Sequence, residues 1–220
     1  MSGFKKAIVV ANGTPQLGQA VQAIIEHAAD ALVICADGGA DVALKMGLYP
    51  HIVVGDMDSV SLDTLNTLEA AGAELLRFPP DKDETDLELA LLEAAERGAS
   101  TIFILAAMGA RIDHTLSNLY LLTLPALQNR KVRLVDNNQS VWIAQPGIHP
   151  LIGAIGDTIS LIPFQGDAQG ITTHGLQYPL SNETLYLGPA RGVSNVIISP
   201  EASVTFKSGT LLIIHTIGHA

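Results

Sequence analysis

Short runs of β-branched and aliphatic residues alternate, over the first 136 positions, with stretches whose apolar residues recur every three or four places. Ala7 to Val10, Leu32 to Ala36, Ile52 to Val54, Glu74 to Phe78, Thr101 to Ala106 and Val132 to Val135 read as strands. Between them lie helical stripes: Leu17, Val21, Ile24, Ile25 and Ala28 after Pro15; Leu62, Leu65, Leu68 and Ala71; Leu87, Ala90, Leu91 and Ala94; Leu116, Leu119, Tyr120, Thr123 and Leu127. Gly47, Gly72 and Gly98 stand where helices should stop. Asp83 with Asp86 three residues on predicts a capped helix start. Uninterrupted apolar strands between amphipathic helices predict a mostly parallel sheet covered on both faces. Ligands of such sheets bind at the carboxyl ends of the strands, because every parallel strand delivers its following loop to that one edge.

The period changes after residue 136. Val141-Trp142-Ile143, Thr158 to Ile162, Gly170 to Thr173, Val196 to Ile198, Ser203 to Phe206 and Leu211 to His215 are short strand-like runs punctuated by Gly, Pro and Asn. The expected fold is therefore α/β in two domains: residues 1–136 with the parallel sheet, and residues 137–220 as an all-β, sandwich-like domain. Trp142 and the run from Leu211 belong to the expected sandwich core. No internal repeat or low-complexity tract interrupts the pattern.

Charge narrows the partners. Twelve basic residues against twenty-two acidic ones leave a formal charge of −10, the wrong sign for a nucleic-acid or anionic-membrane footprint. Phosphates could be held only with help from a metal ion and backbone amides. Cys35 is the single cysteine, which rules out an internal disulfide and a cysteine-built metal site. The first residues lack the apolar stretch and cleavage site of a signal peptide, and no run reaches the length of a membrane span. A soluble cytoplasmic protein is expected.

Candidate chemistry sits in four acidic loops, three of them glycine-bearing, each at the carboxyl end of an expected strand. Gly55-Asp56-Met57-Asp58-Ser59 offers two carboxylates one residue apart, hard oxygens suited to Mg²⁺ rather than zinc. Lys82 adds a cation for phosphate, while Asp83 and Asp86 are either further ligands or helix-terminus acids. Asp37-Gly38-Gly39 forms a turn whose amides can face a ligand. In Met108 to His114, Arg111 can fork onto phosphate oxygens. Asp113 is a ligand or the next helix cap, and His114 a phosphate donor, proton carrier or structural residue. The remaining histidines (His27, His51, His149, His174, His215 and His219) are scattered and read as structural or surface residues. No G-x-x-x-x-G-K, G-x-G-x-x-G or G-x-S-x-G motif is present.

Taken in order, Asp37-Gly38-Gly39-Ala40, Gly55 to Ser59, Asp81 to Asp86, Arg111 to His114, Thr173 to Leu180 and Ser194-Asn195 resemble the thiamine pyrophosphokinase family. The resemblance spans residues 35 to 195, approximately. It implies an α/β ATP-binding domain followed by a β-sandwich, working as a homodimer with thiamine near the subunit interface. It implies Mg²⁺-dependent transfer of the pyrophosphoryl group of ATP to the thiamine hydroxyl, releasing AMP. By position, Asp56, Asp58, Asp83 and Asp86 form the metal and phosphate centre, with Asp58, Asp86 and Asp83 as the catalytic acids and Asp86 or Asp58 as the base. Asp37, Gly38, Lys82, Arg111, Asp113 and His114 serve the ATP side, and Tyr178, Ser194 and Asn195 the thiamine side. Three positions depart from the family pattern: Asp41 where Asn is frequent, Ala110 in place of a second glycine, and Tyr178 where Trp is frequent. Tyr178 keeps a ring face on which a cationic ring can stack.

Two other readings stay open on the residues. Ile52 to Val60 can be read as strand then D-x-D-x-V, the pattern of a haloacid-dehalogenase-type phosphatase with Asp56 as nucleophile. The glycine directly before Asp56 and the long α/β stretch ahead of it weigh against that. A non-catalytic module that binds thiamine or nucleotide would keep the fold without turnover.

Overall fold

Most apolar runs of the first half become strands because their β-branched residues are buried within a sheet, whereas the edge strand Glu74–Arg77 is only partly covered. The strands are β1 (Lys6–Val10), β2 (Ala31–Ala36), β3 (Ile52–Gly55), β4 (Glu74–Arg77), β5 (Thr101–Leu105) and β6 (Lys131–Asp136). The computed structural model describes residues 4–109 and 111–219, so Ala110, one of the departures noted above, lies outside the described residues. The chain divides into two units, residues 1–137 and 138–220.

In the first unit the strands run in the order β6-β5-β1-β2-β3-β4, every neighbouring pair parallel. The chain steps outward from β1 to β4, then returns to the other side of β1 for β5 and β6. This reversal is the switch point at which doubly wound sheets open a ligand crevice. Cross-strand register matters here. Ala36 on β2 pairs with Val54 on β3, so Asp37 stands level with Gly55 at the carboxyl edge, and its amide donates to Val54 O at 2.8 Å.

Helices α1 (Gln19–Glu26), α2 (Gly39–Lys45), α3 (Leu62–Ala70), α4 (Asp86–Glu96) and α5 (Ile112–Leu121) connect the strands. α4 buries Leu87, Ala90, Leu91, Ala94 and Ala95 and packs across β1, β2 and β3. Four local expectations are corrected. α1 starts at Gln19 rather than after Pro15, because the preceding residues are tied to the sheet edge: Gly13 N donates to Ala106 O at 2.9 Å and Gln16 O accepts from Asn137 N at 3.0 Å. The cap of α4 is Thr85, whose hydroxyl accepts from Glu88 N at 3.2 Å, so Asp83 lies outside the helix. α5 has Arg111 at its cap position, with Asp113 inside the first turn, so Asp113 is no cap. The predicted stripe of α5 is also largely unburied, Leu116 and Tyr120 being exposed and Leu121 buried. Asn118 orients that helix by donating to Ala107 O at 2.7 Å.

The second unit contains β7 (Gln139–Ala144), β8 (Gly147–Pro150), β9 (Thr158–Pro163), β10 (Ala168–His174), β11 (Glu183–Leu185), β12 (Asn195–Val196), β13 (Ser203–Phe206) and β14 (Leu211–Thr216). They form two antiparallel sets, β12-β9-β14-β7 and β11-β10-β13-β8. Ile159, Leu161 and Ile213 of the first set and Ile171, Val204 and Phe206 of the second share one buried cluster, with Trp142 packed against it. This is the core of a sandwich. Among the described residues no helix is long and apolar enough to cross a membrane.

One polar group organises the end of this unit. Asp157, 5% exposed, accepts from Ala154 N and Gly218 N at 2.8 Å each and meets His215 Nε2 at 2.7 Å. Burial pushes its carboxyl up, but the Gly218 amide, His215 and the Ala154 amide together hold it below its ordinary 3.8. A depressed folded value means that its stabilisation is complete above the ordinary value and fades as pH falls through the lowered one. Asp157→Ala should therefore cost about 1–3 kcal/mol of unfolding free energy at neutral pH. Denaturant unfolding at a series of pH values should show that difference shrinking below 3.8.

Candidate active site

Loops at a parallel edge must leave their strands sharply, and here several do so through left-handed residues. Asp37 after β2 has φ 45°, Met57 after β3 has φ 66° and Ala106 after β5 has φ 54°. Such conformations are uncommon for non-glycine residues and concentrate where function holds them. The turn after β3 is closed by its own acid, the Asp58 amide donating to Asp56 Oδ1 at 3.2 Å. Met57 is buried beneath it. Ser59 Oγ donates to Asp58 Oδ1 at 2.8 Å, and Ser59 N donates to Asp37 Oδ1 at 3.4 Å.

The outcome is a group of three carboxylates. Asp37, Asp56 and Asp58 each place an oxygen so that all three lie within 4.8 Å of one another, graded from buried Asp37 to exposed Asp58. Asp86, at the first position of α4, adjoins Asp37 across a single glycine. The junction is Gly55, with φ 147°. A Cβ there would stand 3.0 Å from Asp37 Cβ and 3.1 Å from Asp86 Oδ1. Only glycine meets both the backbone conformation and the space. Asp86 Oδ1 is buried, and Lys82 Nζ stands 2.9 Å from it as an ion pair. Asp86 above all, then Asp56 and Asp37, hold the Lys82 ammonium above its ordinary value, so it stays protonated. Lys82 Nζ also donates to Pro79 O at 3.4 Å.

The sequence-predicted residues divide into three sets. Asp56, Asp58, Asp86 and Lys82 come together, and Asp37, expected on the nucleotide side, joins the carboxylates themselves. Asp83 is exposed and lies outside the three-carboxylate group. Arg111 and Asp113 form an exposed bidentate pair, at 2.6 and 3.2 Å, beside exposed His114. That pairing raises the arginine and lowers the aspartate from their ordinary values. Gly38, at the start of α2, lies against the side chain of Asn12. Asn12 was not singled out in the sequence; its signal was its place at the end of β1, the strand beside β2.

In the second unit Tyr178, Ser194 and Asn195 line a recess of about 210 Å³ with Leu161, Leu180 and Arg191. Tyr178 is 61% exposed. Asn195 is buried, and its amide is spent on backbone: Nδ2 donates to Tyr178 O at 2.7 Å, while Oδ1 accepts from Tyr178 N at 3.0 Å and Val196 N at 2.9 Å. It therefore fixes the main chain beneath the tyrosine ring. Ser194, with φ 58°, is exposed and held by its amide on Ser160 Oγ at 3.0 Å. Arg191 pairs with Glu183 at 2.7 Å.

Three carboxylates sharing a few ångströms, with a glycine hollow beside them, fit a hard divalent cation with oxygen ligands. Gly55→Ala should cost about 1–3 kcal/mol of stability through backbone strain alone. By pushing Asp37 and Asp86 apart it should also weaken Mn²⁺ binding, read by titration against the wild type.

Comparison with known proteins agrees with this geometry. The family description "Thiamin pyrophosphokinase, catalytic domain" matches residues 23–135, and "Thiamin pyrophosphokinase, vitamin B1 binding domain" matches residues 148–211. A thiamine pyrophosphokinase of Bacillus subtilis is 33% identical over 84% of this chain and 87% of its own length. Thiamine pyrophosphokinase 1 of Arabidopsis thaliana is 28% identical over 96% and 86%. The crystal structure of thiamine pyrophosphokinase from Bacillus subtilis superimposes with a TM-score of 0.86 at 30% identity, covering 97% of this chain and 99% of that one. With fold, acidic edge and both halves of the sequence in agreement, the chain belongs to the thiamine pyrophosphokinase family.

Proposed function

We propose that this enzyme transfers the pyrophosphoryl group of ATP to the hydroxyl of thiamine, with Mg²⁺, giving thiamine diphosphate and AMP. The observation that carries this reading is the convergence of Asp37, Asp56 and Asp58 within 4.8 Å, beside the Asp86–Lys82 pair. Residues 1–136 are the ATP-binding catalytic part of the proposal and residues 137–220 the thiamine-binding part. It also includes a cytoplasmic homodimer with thiamine near the subunit interface.

Asp37, Asp56 and Asp58 would hold magnesium, with Asp86 completing the acidic wall. When bound, the ion supplies neutralisation of phosphate charge that a protein of net charge −10 otherwise lacks. Lys82, kept protonated by Asp86, contributes a fixed positive charge toward the polyphosphate. Arg111 can exchange its exposed partner Asp113 for phosphate oxygens in the same forked geometry. The thiamine hydroxyl oxygen attacks the β-phosphorus, the bond from that phosphorus to the α,β-bridging oxygen breaks, and AMP leaves with that oxygen. The hydroxyl proton passes to a carboxylate, Asp86 or Asp58. Little covalent chemistry is asked of the protein, so rate depends on in-line placement and charge. On the thiamine side, the exposed Tyr178 face suits a cationic ring, Ser194 offers a hydroxyl, and Asn195 holds both in place. Membership of the family sets aside Asp56 as a phosphatase nucleophile.

Incubation with ATP, Mg²⁺ and thiamine should yield AMP and thiamine diphosphate in equal amounts; ADP with thiamine monophosphate would overturn the proposal. Asp58→Asn should lower kcat by about a hundredfold or more with the thermal unfolding profile retained, and a variant keeping most of its turnover would remove Asp58 from the centre. Asn195→Ala should raise the KM for thiamine about tenfold while the KM for ATP stays near the wild-type value, measured by varying each substrate in turn.

A further inference from the structure

The loop that carries Asp56 and Asp58 is tied down twice, both times by an acid from the segment following β2. The first tie is Ser59 N on Asp37 Oδ1, at 3.4 Å. The second belongs to Asp41, in the first turn of α2. Its Oδ2 accepts from Ser61 N at 3.2 Å, and its Oδ1 accepts from Thr64 Oγ1 at 2.5 Å. Ser61 Oγ donates in turn to Thr64 Oγ1 at 2.8 Å and accepts from Thr64 N at 3.1 Å as the cap of α3. Protons along this relay run one way, from Ser61 to Thr64 to the Asp41 carboxylate, so each hydrogen bond polarises the next. The chain around the two ties has little freedom left: Val60 between them is buried, and Met57 just before them is held left-handed. Where Ser61 sits therefore decides where Asp58, three residues earlier, presents its oxygens.

We propose that Asp41 is a positioning residue which, through Ser61 and Thr64, sets the metal affinity of the Asp56–Asp58 loop; this rests on the reading of that loop as a divalent-cation site. Asp41 itself is no ligand. Its carboxylate is committed to the Ser61 amide and the Thr64 hydroxyl, and it stands outside the group of Asp37, Asp56 and Asp58. Asparagine at this position preserves the link, because its carbonyl can take the Ser61 amide while its NH₂ donates to the Thr64 hydroxyl, which can accept. Alanine removes it. Either polar side chain therefore fits here for the same geometric reason.

The test uses Mn²⁺ binding to the full chain without substrates, followed by electron paramagnetic resonance, together with amide hydrogen exchange over residues 56–64. Asp41→Ala should weaken Mn²⁺ binding about ten- to a hundredfold, speed exchange at Ser59 and Ser61, and raise the metal concentration needed for turnover without changing the KM for thiamine. Asp41→Asn should bind Mn²⁺ within about twofold of the wild type, a difference small beside the loss expected for alanine. If Asp41→Ala exchanges faster at Ser61 yet binds Mn²⁺ as the wild type does, Asp41 merely supports the cap of α3 and the proposal fails. Should Asp41→Ala not fold, Thr64→Val reads the same relay: weaker Mn²⁺ binding supports the proposal and unchanged binding overturns it. Failure of the wild type to bind Mn²⁺, or equal binding by Asp58→Asn, would instead sink the metal-site reading beneath it.

Discussion

Like charges brought together repel, by roughly 1 kcal/mol per pair at 4 Å in water and several times that where water is displaced. Folding this chain nevertheless gathers Asp37, Asp56 and Asp58 within 4.8 Å of one another at the end of β3, with Asp86 against the same glycine. The rest of the first unit can be understood as the frame that tolerates this. Parallel strands hold the loops at one edge, backbone amides of Asp58 and Ser59 take up carboxylate oxygens, and Lys82 answers Asp86. The arrangement costs stability in the unliganded protein, and a bound cation would offset that cost, linking the proposed ligand binding to folding.

The two units solve different problems with the same sparing use of polar groups. At the parallel edge, oxygens are left available. In the sandwich, buried polar side chains are used up on backbone: Asn195 on Tyr178 and Val196, Asp157 on Ala154 and Gly218. The first arrangement leaves charge to be met from outside, whereas the second stiffens loops so that exposed groups such as Tyr178 and Ser194 would lose little ordering entropy if a ligand met them.

Much of this was legible in the residues, and the failures are instructive. Strands β1, β2 and β3 were readable because burial on both faces demands unbroken apolar runs. The loop acids were readable because a parallel sheet sends its strand ends to one edge. Joining of Asp37 to Asp56 and Asp58 was not, since it depends on the register of Ala36 with Val54 rather than on any spacing along the chain. The start of α1 was misplaced because Gly13 and Gln16 spend their hydrogen bonds on distant strands, which local propensity does not register. The stripe of α5 misled for a similar reason, its orientation following Asn118 and Leu121 instead of its most apolar face. β8 and β11 are too short, and too rich in polar residues, Gly or Pro, to rise above the surrounding loops. Asp41 looked like a departure from a motif, and only its partners Ser61 and Thr64 give it a role.

The left-handed residues at the strand ends have a consequence for anyone who would redesign this protein. Asp37, Met57 and Ala106 occupy backbone conformations that glycine adopts with less strain. A search for thermostable variants guided by backbone energy would therefore drift to this edge first and relax it residue by residue. Each such gain would be drawn from the loops that hold the acids in register, and the hardier protein would be the poorer catalyst.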